Sequence, residues 1–271
     1  MIPFFLDSQI GPLFAIYWPP KNNDAVRAVL HVPAFAEEMN KSRRMVALQA
    51  QSLAEQGYLV LVIDLYGTGD SAGDFGEATW TLWLNNISDA VAWLKQQGAD
   101  VISLWGLRLG VLLAMDFISQ HPGVVENLLA WQPVLTADNF VTQFLRLRVA
   151  AAMMNNAKLQ EKTSELKKQL HQGEALEVAG YLLNPELMKP LMAMKIDPTS
   201  LRSLKKVQMF EIVMGSDTQP TFVNQKFLET LLAAEVDAGL TAVTENCFWA
   251  SQEIVIAPNL LRLTSECLKK W

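Results

Sequence analysis

Apolar positions along this chain come in short blocks. Val26 to Val32, Tyr58 to Leu65, Asp100 to Trp105, Glu126 to Trp131, Val207 to Met214 and Leu240 to Thr244 are runs dominated by apolar residues, and Pro12 to Trp18 reads the same way. Runs that do not alternate fit strands buried on both faces of a parallel sheet. Between them lie stretches with helical spacing. Ser42 to Gln56 predicts a helix with Ser42 as N-cap, Met45, Leu48, Leu53 and Ala54 on its apolar side, and Gly57 at its end. A longer helix carries Trp80, Trp83, Leu84, Ile87, Val91 and Leu94, an aromatic stripe that reads as core packing. Val111 to His121 and Pro258 to Leu268 complete the regular helices, and Pro19 to Asp24 is a turn. Strands alternating with helices predict an α/β fold: a mostly parallel central sheet with helices on both faces, in one domain over residues 1–271.

The rhythm breaks once. Pro133 to Lys205 holds helical stretches at Phe140 to Asn155, Lys158 to His171 and Pro185 to Lys195, with five methionines, Met153, Met154, Met188, Met192 and Met194. About 70 residues between two strands is too long for a simple crossover. Residues 133–205 are therefore expected to be a helical cap, whose methionines fill core or line an adaptable pocket.

Composition narrows the setting. The chain has 271 residues, 51% of them hydrophobic, which is enough for one large domain with its own core. The net charge of −6 argues against a nucleic-acid partner. No uninterrupted apolar segment reaches the ~18 residues of a membrane span, and the run Val101 to Ile118 is broken by Ser103, Arg108 and Asp116. The N-terminal residues lack a basic region and a cleavage site, so no signal peptide is expected. Cys247 and Cys267 have no metal or redox spacing and read as reduced thiols of a cytoplasmic protein. No metal or cofactor is expected, and nothing indicates the oligomeric state.

Candidate chemistry centres on Leu104-Trp105-Gly106-Leu107-Arg108-Leu109-Gly110, a strand, a turn with flanking glycines, and a helix. This resembles the nucleophile elbow G-x-S-x-G of α/β-hydrolases, with Arg108 at the central position. Three further segments extend the likeness over essentially the whole chain: His31 to Ala34, the loop Asp64 to Ser71, and Gly215-Ser216-Asp217. The resemblance implies an α/β-hydrolase fold with the inserted cap over the carboxyl ends of the strands. Finer motifs resemble the hydrolases associated with the exosortase A system. They are Phe35 to Arg44, Gly106-Leu107-Arg108, Trp131 to Val134 with Gln143 to Arg146, Glu177 to Tyr181, and Phe248 to Ile254. That resemblance implies a bacterial cytoplasmic protein linked to surface-protein sorting and exopolysaccharide export, and no particular substrate.

A serine hydrolase needs a nucleophile, a base, an acid that orients the base, and oxyanion donors. A guanidinium has no lone pair with which to attack a carbonyl. After the last strand, where the base belongs, the chain reads Thr244-Glu245-Asn246-Cys247-Phe248-Trp249, without histidine. His31, His121 and His171 match no base position, while Asp217 matches an acid position. Ser71 and Ser216 read as turn residues. Arg108, at a helix N-terminus, needs a carboxylate or a ligand anion beside it. Glu37, Glu38, Asp217, Glu245 and Glu253 are candidate partners, and Glu37 or Glu38 is alternatively a base toward water.

The candidate catalytic residues are thus Arg108 at the nucleophile-elbow position, Asp217 at the acid position, and Glu37 as a base or a partner of Arg108. Phe35, Glu38, Leu107, Leu109, Trp249 and Glu253 are expected to line a ligand site. Three readings follow: a hydrolase using an unusual constellation, a binding protein holding a small anionic or acyl ligand under the cap, and a scaffold with a filled site.

Overall fold

In the computed structural model, residues 1–21, 27–154, 161–215 and 219–271 are described. The expected turn residues Asn22 to Asp24, the first residue of the strand Val26 to Val32, the junction of the first two cap helices, and Ser216 and Asp217 lie outside them.

The long apolar runs form the middle of one eight-stranded sheet. Its strands are β1 (Ile2–Leu6), β2 (Leu13–Trp18), β3 (Arg27–Val32), β4 (Leu59–Ile63), β5 (Val101–Leu107), β6 (Asn127–Trp131), β9 (Lys206–Val213) and β10 (Ala238–Thr244). Their order is β1-β2-β4-β3-β5-β6-β9-β10. Strands from β4 to β10 along that order are parallel, whereas β1 and β2 form an antiparallel edge. The edge strand β1 was not expected. Ile2 and Phe5 point to solvent, so its apolar residues form no one-sided pattern.

Helices cover both faces. On one face α1 (Glu37–Glu55) and α8 (Pro258–Leu268) pack over Trp105, Trp131 and Phe248. The indole of Trp131 donates to Thr264 Oγ1 at 2.9 Å, fixing α8 to the sheet. On the other face lie α2 (Trp80–Gln96), α3 (Leu109–Gln120) and α7 (Phe222–Ala233). The tryptophan stripe of α2 is core, with Trp80 and Trp83 buried. The helix α7 is capped by Thr221, whose side chain accepts from the Asn224 amide, and it too was not anticipated.

Two boundaries differ from the sequence expectation. Helix α1 begins at Glu37, not after Ser42, and its N-cap Ala36 has φ 52°. Nothing between Glu37 and Lys41 interrupts a helix, and the two acids suit its first turn. Ser42 Oγ donates back to Glu38 O inside the helix at 2.6 Å. Likewise β5 runs on to Leu107 and α3 starts at Leu109, so the turn between them is a single residue.

The segment between β6 and β9 holds α4 (Ala137–Met154), α5 (Thr163–Gln172), α6 (Pro185–Ala193) and a small hairpin, β7 (Leu176–Val178) with β8 (Tyr181–Leu183). The hairpin was expected to be helical or loop. Its turn residues Ala179 and Gly180 both have positive φ, 51° and 84°, the signature of a two-residue hairpin turn. Three-residue strands are too short to leave a periodic trace.

The glycines of the strand–turn–helix unit mark contact distances. A Cβ on Gly106 would meet Val111 Cα and N at 2.6 Å. One on Gly110 would strike the carbonyl oxygens of Val32 and Pro33. These neighbours are backbone and have no rotamer to yield. Gly110→Ala is therefore expected to lower stability by about 1–3 kcal/mol in urea denaturation. Gly123→Ala, with open space around it, serves as the comparison that carries only the cost of its positive φ.

Candidate functional site

Strands β3 and β5 are neighbours in parallel register, with Val32 opposite Gly106. Each leads, within a few residues, to one non-glycine residue at positive φ that opens a helix: Ala36 before α1 and Arg108 (φ 55°, ψ −118°) before α3. Such backbone costs on the order of 1–3 kcal/mol and persists only where packing imposes it. Here the packing is tight. Arg108 N donates to Trp131 O at 3.0 Å, and Arg108 O accepts from Val111 N at 3.1 Å. The outcome is that two helix N-termini stand side by side at the carboxyl edge of the sheet.

Register thus brings the first turn of α1 against the turn at Arg108. Arg108 Nε donates to Glu38 Oε1 at 3.1 Å, and Nη2 lies 3.1 Å from the same oxygen. Both side chains are mostly buried, at 17% and 23% exposure. The guanidinium also lies 5.5 Å from the Trp249 ring centroid and 6.0 Å from that of Phe140. Aromatic faces attract a cation, more strongly as water is excluded. Glu38 Oε2 is buried with no hydrogen-bond partner. Burial pushes the Glu38 carboxyl above the usual range, and the Arg108 charge pulls it partly back. As the first helical residue, Leu109 has an N–H with no acceptor inside the helix.

The other candidates divide clearly. Glu37 does not pair with Arg108. It is exposed, and its Oε2 accepts from the Tyr181 hydroxyl at 3.3 Å, joining α1 to the hairpin. Glu245 turns away, accepting from the Asn259 amide at 2.9 Å. Glu253 is exposed on the loop after Trp249. Asp217 lies outside the described residues. Leu107 and Leu109 belong to the core, one in each of its two layers, because the turn projects residue 108 alone. Phe35 is also core, the hub of edge contacts to Phe75, Trp83, Phe140 and Phe144. Of the expected lining residues, Glu38 and Trp249 touch Arg108.

Sequence reading missed Phe140, Phe144 and Tyr181 as neighbours of the elbow. Phe140 and Phe144 share a face of α4 at i,i+4 spacing, but nothing local says what that face meets. Cys247 is close enough for the Arg108 charge to act on its thiol, although burial raises that thiol above its ordinary value.

No histidine reaches the elbow among the described residues. His31 is buried, with Nδ1 3.0 Å from Trp105 O and its ring against the Trp105 indole. His121 ends α3, with Nδ1 3.0 Å from Phe117 O, about 18 Å from the elbow at 1.5 Å per residue. His171 sits in the last turn of α5, exposed. Ser71 is structural: its Oγ donates to Asp64 O at 2.6 Å and accepts from Phe14 N at 2.8 Å. No helix among the described residues is long and apolar enough to cross a membrane.

Residues 24–208 match a family model described as serine aminopeptidase, S33. The chain is 29% identical over 128 residues to an uncharacterized protein of Rickettsia prowazekii, over 45% of this chain and 51% of that one. It thus spans about half the length of that curated relative. Among solved structures it is similar to Est1E from Butyrivibrio proteoclasticus with ferulic acid bound, with TM-score 0.69 and 17% identity, over 98% and 96% of the two chains. It is also similar to XC6422 of Xanthomonas campestris, an α/β serine hydrolase described as lacking a lid, with TM-score 0.59 and 13% identity, over 100% and 94%. A third is the Pyrococcus furiosus esterase Pf2001, with TM-score 0.58 and 18% identity, over 100% and 90%. At such identities the likeness is one of fold.

The titration of Glu38 tests the site's electrostatics. A carboxyl whose folded pKa is raised contributes most to stability at low pH, and that contribution is lost as pH rises through the folded value. Removing the arginine removes the pull toward the charged form. In Arg108→Leu the Glu38 pKa is expected to rise above its wild-type value, followed by carbon-13 NMR of its carboxyl. An unchanged or lower pKa would mean that the two groups do not share a site.

Proposed function

The chain belongs to the serine aminopeptidase S33 family and has the α/β-hydrolase fold, and on that premise we propose that it works without an acyl-serine intermediate. Arg108 takes the place of the nucleophile at the elbow. The observation that carries this reading is the Arg108–Glu38 ion pair. A protonated guanidinium cannot attack a carbonyl, and no histidine among the described residues is placed to serve a nucleophile there. Asp217 would then have no base to orient and would be a loop carboxylate.

In this reading residues 133–205 form a cap over the elbow. The packing of Phe35 against Phe140 and Phe144, and the Tyr181–Glu37 hydrogen bond, support it. The chain is a bacterial protein of the exosortase-associated branch, acting on the cytoplasmic side of surface-protein sorting and exopolysaccharide export. The resemblance supplies that setting. The segments that carry it meet around one place: Phe35 to Arg44 brings Glu38, Gly106 to Arg108 the arginine, Gln143 to Arg146 Phe144, Glu177 to Tyr181 the hairpin tyrosine, and Phe248 to Ile254 Trp249.

A second reading rests on the unequal use of the pair. Glu38 Oε1 takes both contacts from Arg108, which, among the described residues, leaves Nη1 without an ion-pair partner and Oε2 without a donor. A small anionic or acyl ligand would bind by giving its carboxylate or phosphate to the spare guanidinium donors.

Ester turnover across a short-to-long acyl panel, with fluorophosphonate labelling, separates these ideas from ordinary hydrolysis. Wild type and Arg108→Ala are both expected to show neither turnover nor labelling. Turnover by wild type that disappears in Arg108→Ala would place Arg108 in a working catalytic site and overturn the proposal.

A further inference from the structure

A cavity lies between α1 and strands β2, β3 and β4, behind the elbow. Its volume is about 170 Å³, and Ile16, Trp18, Met39, Val46, Val62 and Leu107 form its apolar walls. One ionic pair borders it. Arg43 grips Asp64 through two parallel hydrogen bonds of 3.1 and 2.9 Å, and Asp64 Oδ2 also accepts from Asp70 N. That carboxylate is therefore already satisfied and neutralised.

His31 lines the same cavity and is only 2% exposed. Its Nδ1 faces a carbonyl oxygen, Trp105 O, at 3.0 Å. A carbonyl can only accept, so Nδ1 carries the proton and Nε2 keeps its lone pair. Nε2 has no hydrogen-bond partner among the described residues. The cavity thus offers His31 Nε2 as an acceptor, beside the satisfied Arg43–Asp64 pair and Ser42, whose hydroxyl already donates to Glu38 O, in walls that are apolar elsewhere. Burial holds the His31 pKa near 3, so this acceptor stays neutral and available across the physiological range. An ion entering here would lose its water and find no free counter-charge.

We propose that this cavity is a ligand site distinct from the elbow, taking a small uncharged molecule with an apolar body and one hydroxyl group that donates to His31 Nε2. The volume suits a ring of about six carbons, since an engineered cavity of about 150 Å³ holds benzene. Phenols and cyclic alcohols of that size have this chemistry. Trp18 and Ala47 also line a surface groove with Arg44 and Gln51, so the cavity and the groove share two wall residues. Because Leu107 forms a wall, an occupant would press on the residue before Arg108.

The test uses the full chain and phenol, with benzene as the isostere lacking the donor and benzoate as the charged analogue. Binding is followed by NMR titration, and the nitrogen-15 shifts of the His31 ring give its tautomer. Phenol is expected to bind saturably and about tenfold more tightly than benzene, the size of one net hydrogen bond, while benzoate does not bind. On saturation the Nε2 signal should move and Nδ1 should remain protonated. Val46→Phe, which takes up the cavity's volume from α1 and leaves His31 in the sequence, should abolish phenol binding in a folded protein. His31→Phe should bring phenol and benzene to equal affinity if it folds. Equal affinities in wild type, a proton on Nε2, no saturable binding, or binding that survives Val46→Phe would each overturn the proposal.

Discussion

Everything at the carboxyl edge depends on how closely α3 approaches the sheet. Gly106 and Gly110 have room for hydrogen only, because the backbones of Val111, Val32 and Pro33 occupy the space a side chain would need. With the turn reduced to one residue, position 108 is held at positive φ and its side chain is thrust out at a helix N-terminus. An arginine there faces an unfavourable dipole, worth about 0.3–1 kcal/mol, and a mostly dry surrounding. Glu38 answers both. The same register that pairs β3 with β5 brings the first turn of α1 to the arginine.

Aromatic packing closes the space around that pair. Phe35 sits between the sheet edge and the β6–β9 segment, touching rings from α2, α4 and the turn at Phe75. Phe140 and Trp249 then flank the guanidinium from two separate parts of the chain. The ion pair is consequently less screened than a surface bridge. Burial nevertheless has the larger effect on Glu38, whose carboxyl is raised despite a cation at contact distance.

Much of this was legible in the sequence. The continuous apolar runs gave the parallel strands because burial on both faces leaves no alternation to misread. The two glycines around Arg108 marked the turn because only close backbone approach requires them. Five carboxylates stood as candidate partners of Arg108, and nothing in the sequence chose among them. The choice of Glu38 over Glu37 depends on where α1 starts, and that start was read five residues late because Ser42 resembled a cap. Leu107 and Leu109 are neighbours of Arg108 in sequence, but their side chains pack into opposite core layers. The edge strand β1 and the β7–β8 hairpin were too short, or too evenly exposed, to leave a periodic signal.

Arg108 and Glu38 form one interacting unit at the elbow. A double-mutant cycle of unfolding free energy over Arg108→Leu, Glu38→Gln and the combined variant measures it directly. A favourable coupling of about 1–3 kcal/mol is expected, as for contacting residues in one ion-pair network. Additive effects, within about 0.5 kcal/mol of zero coupling, would show that the two side chains do not depend on each other and would contradict it.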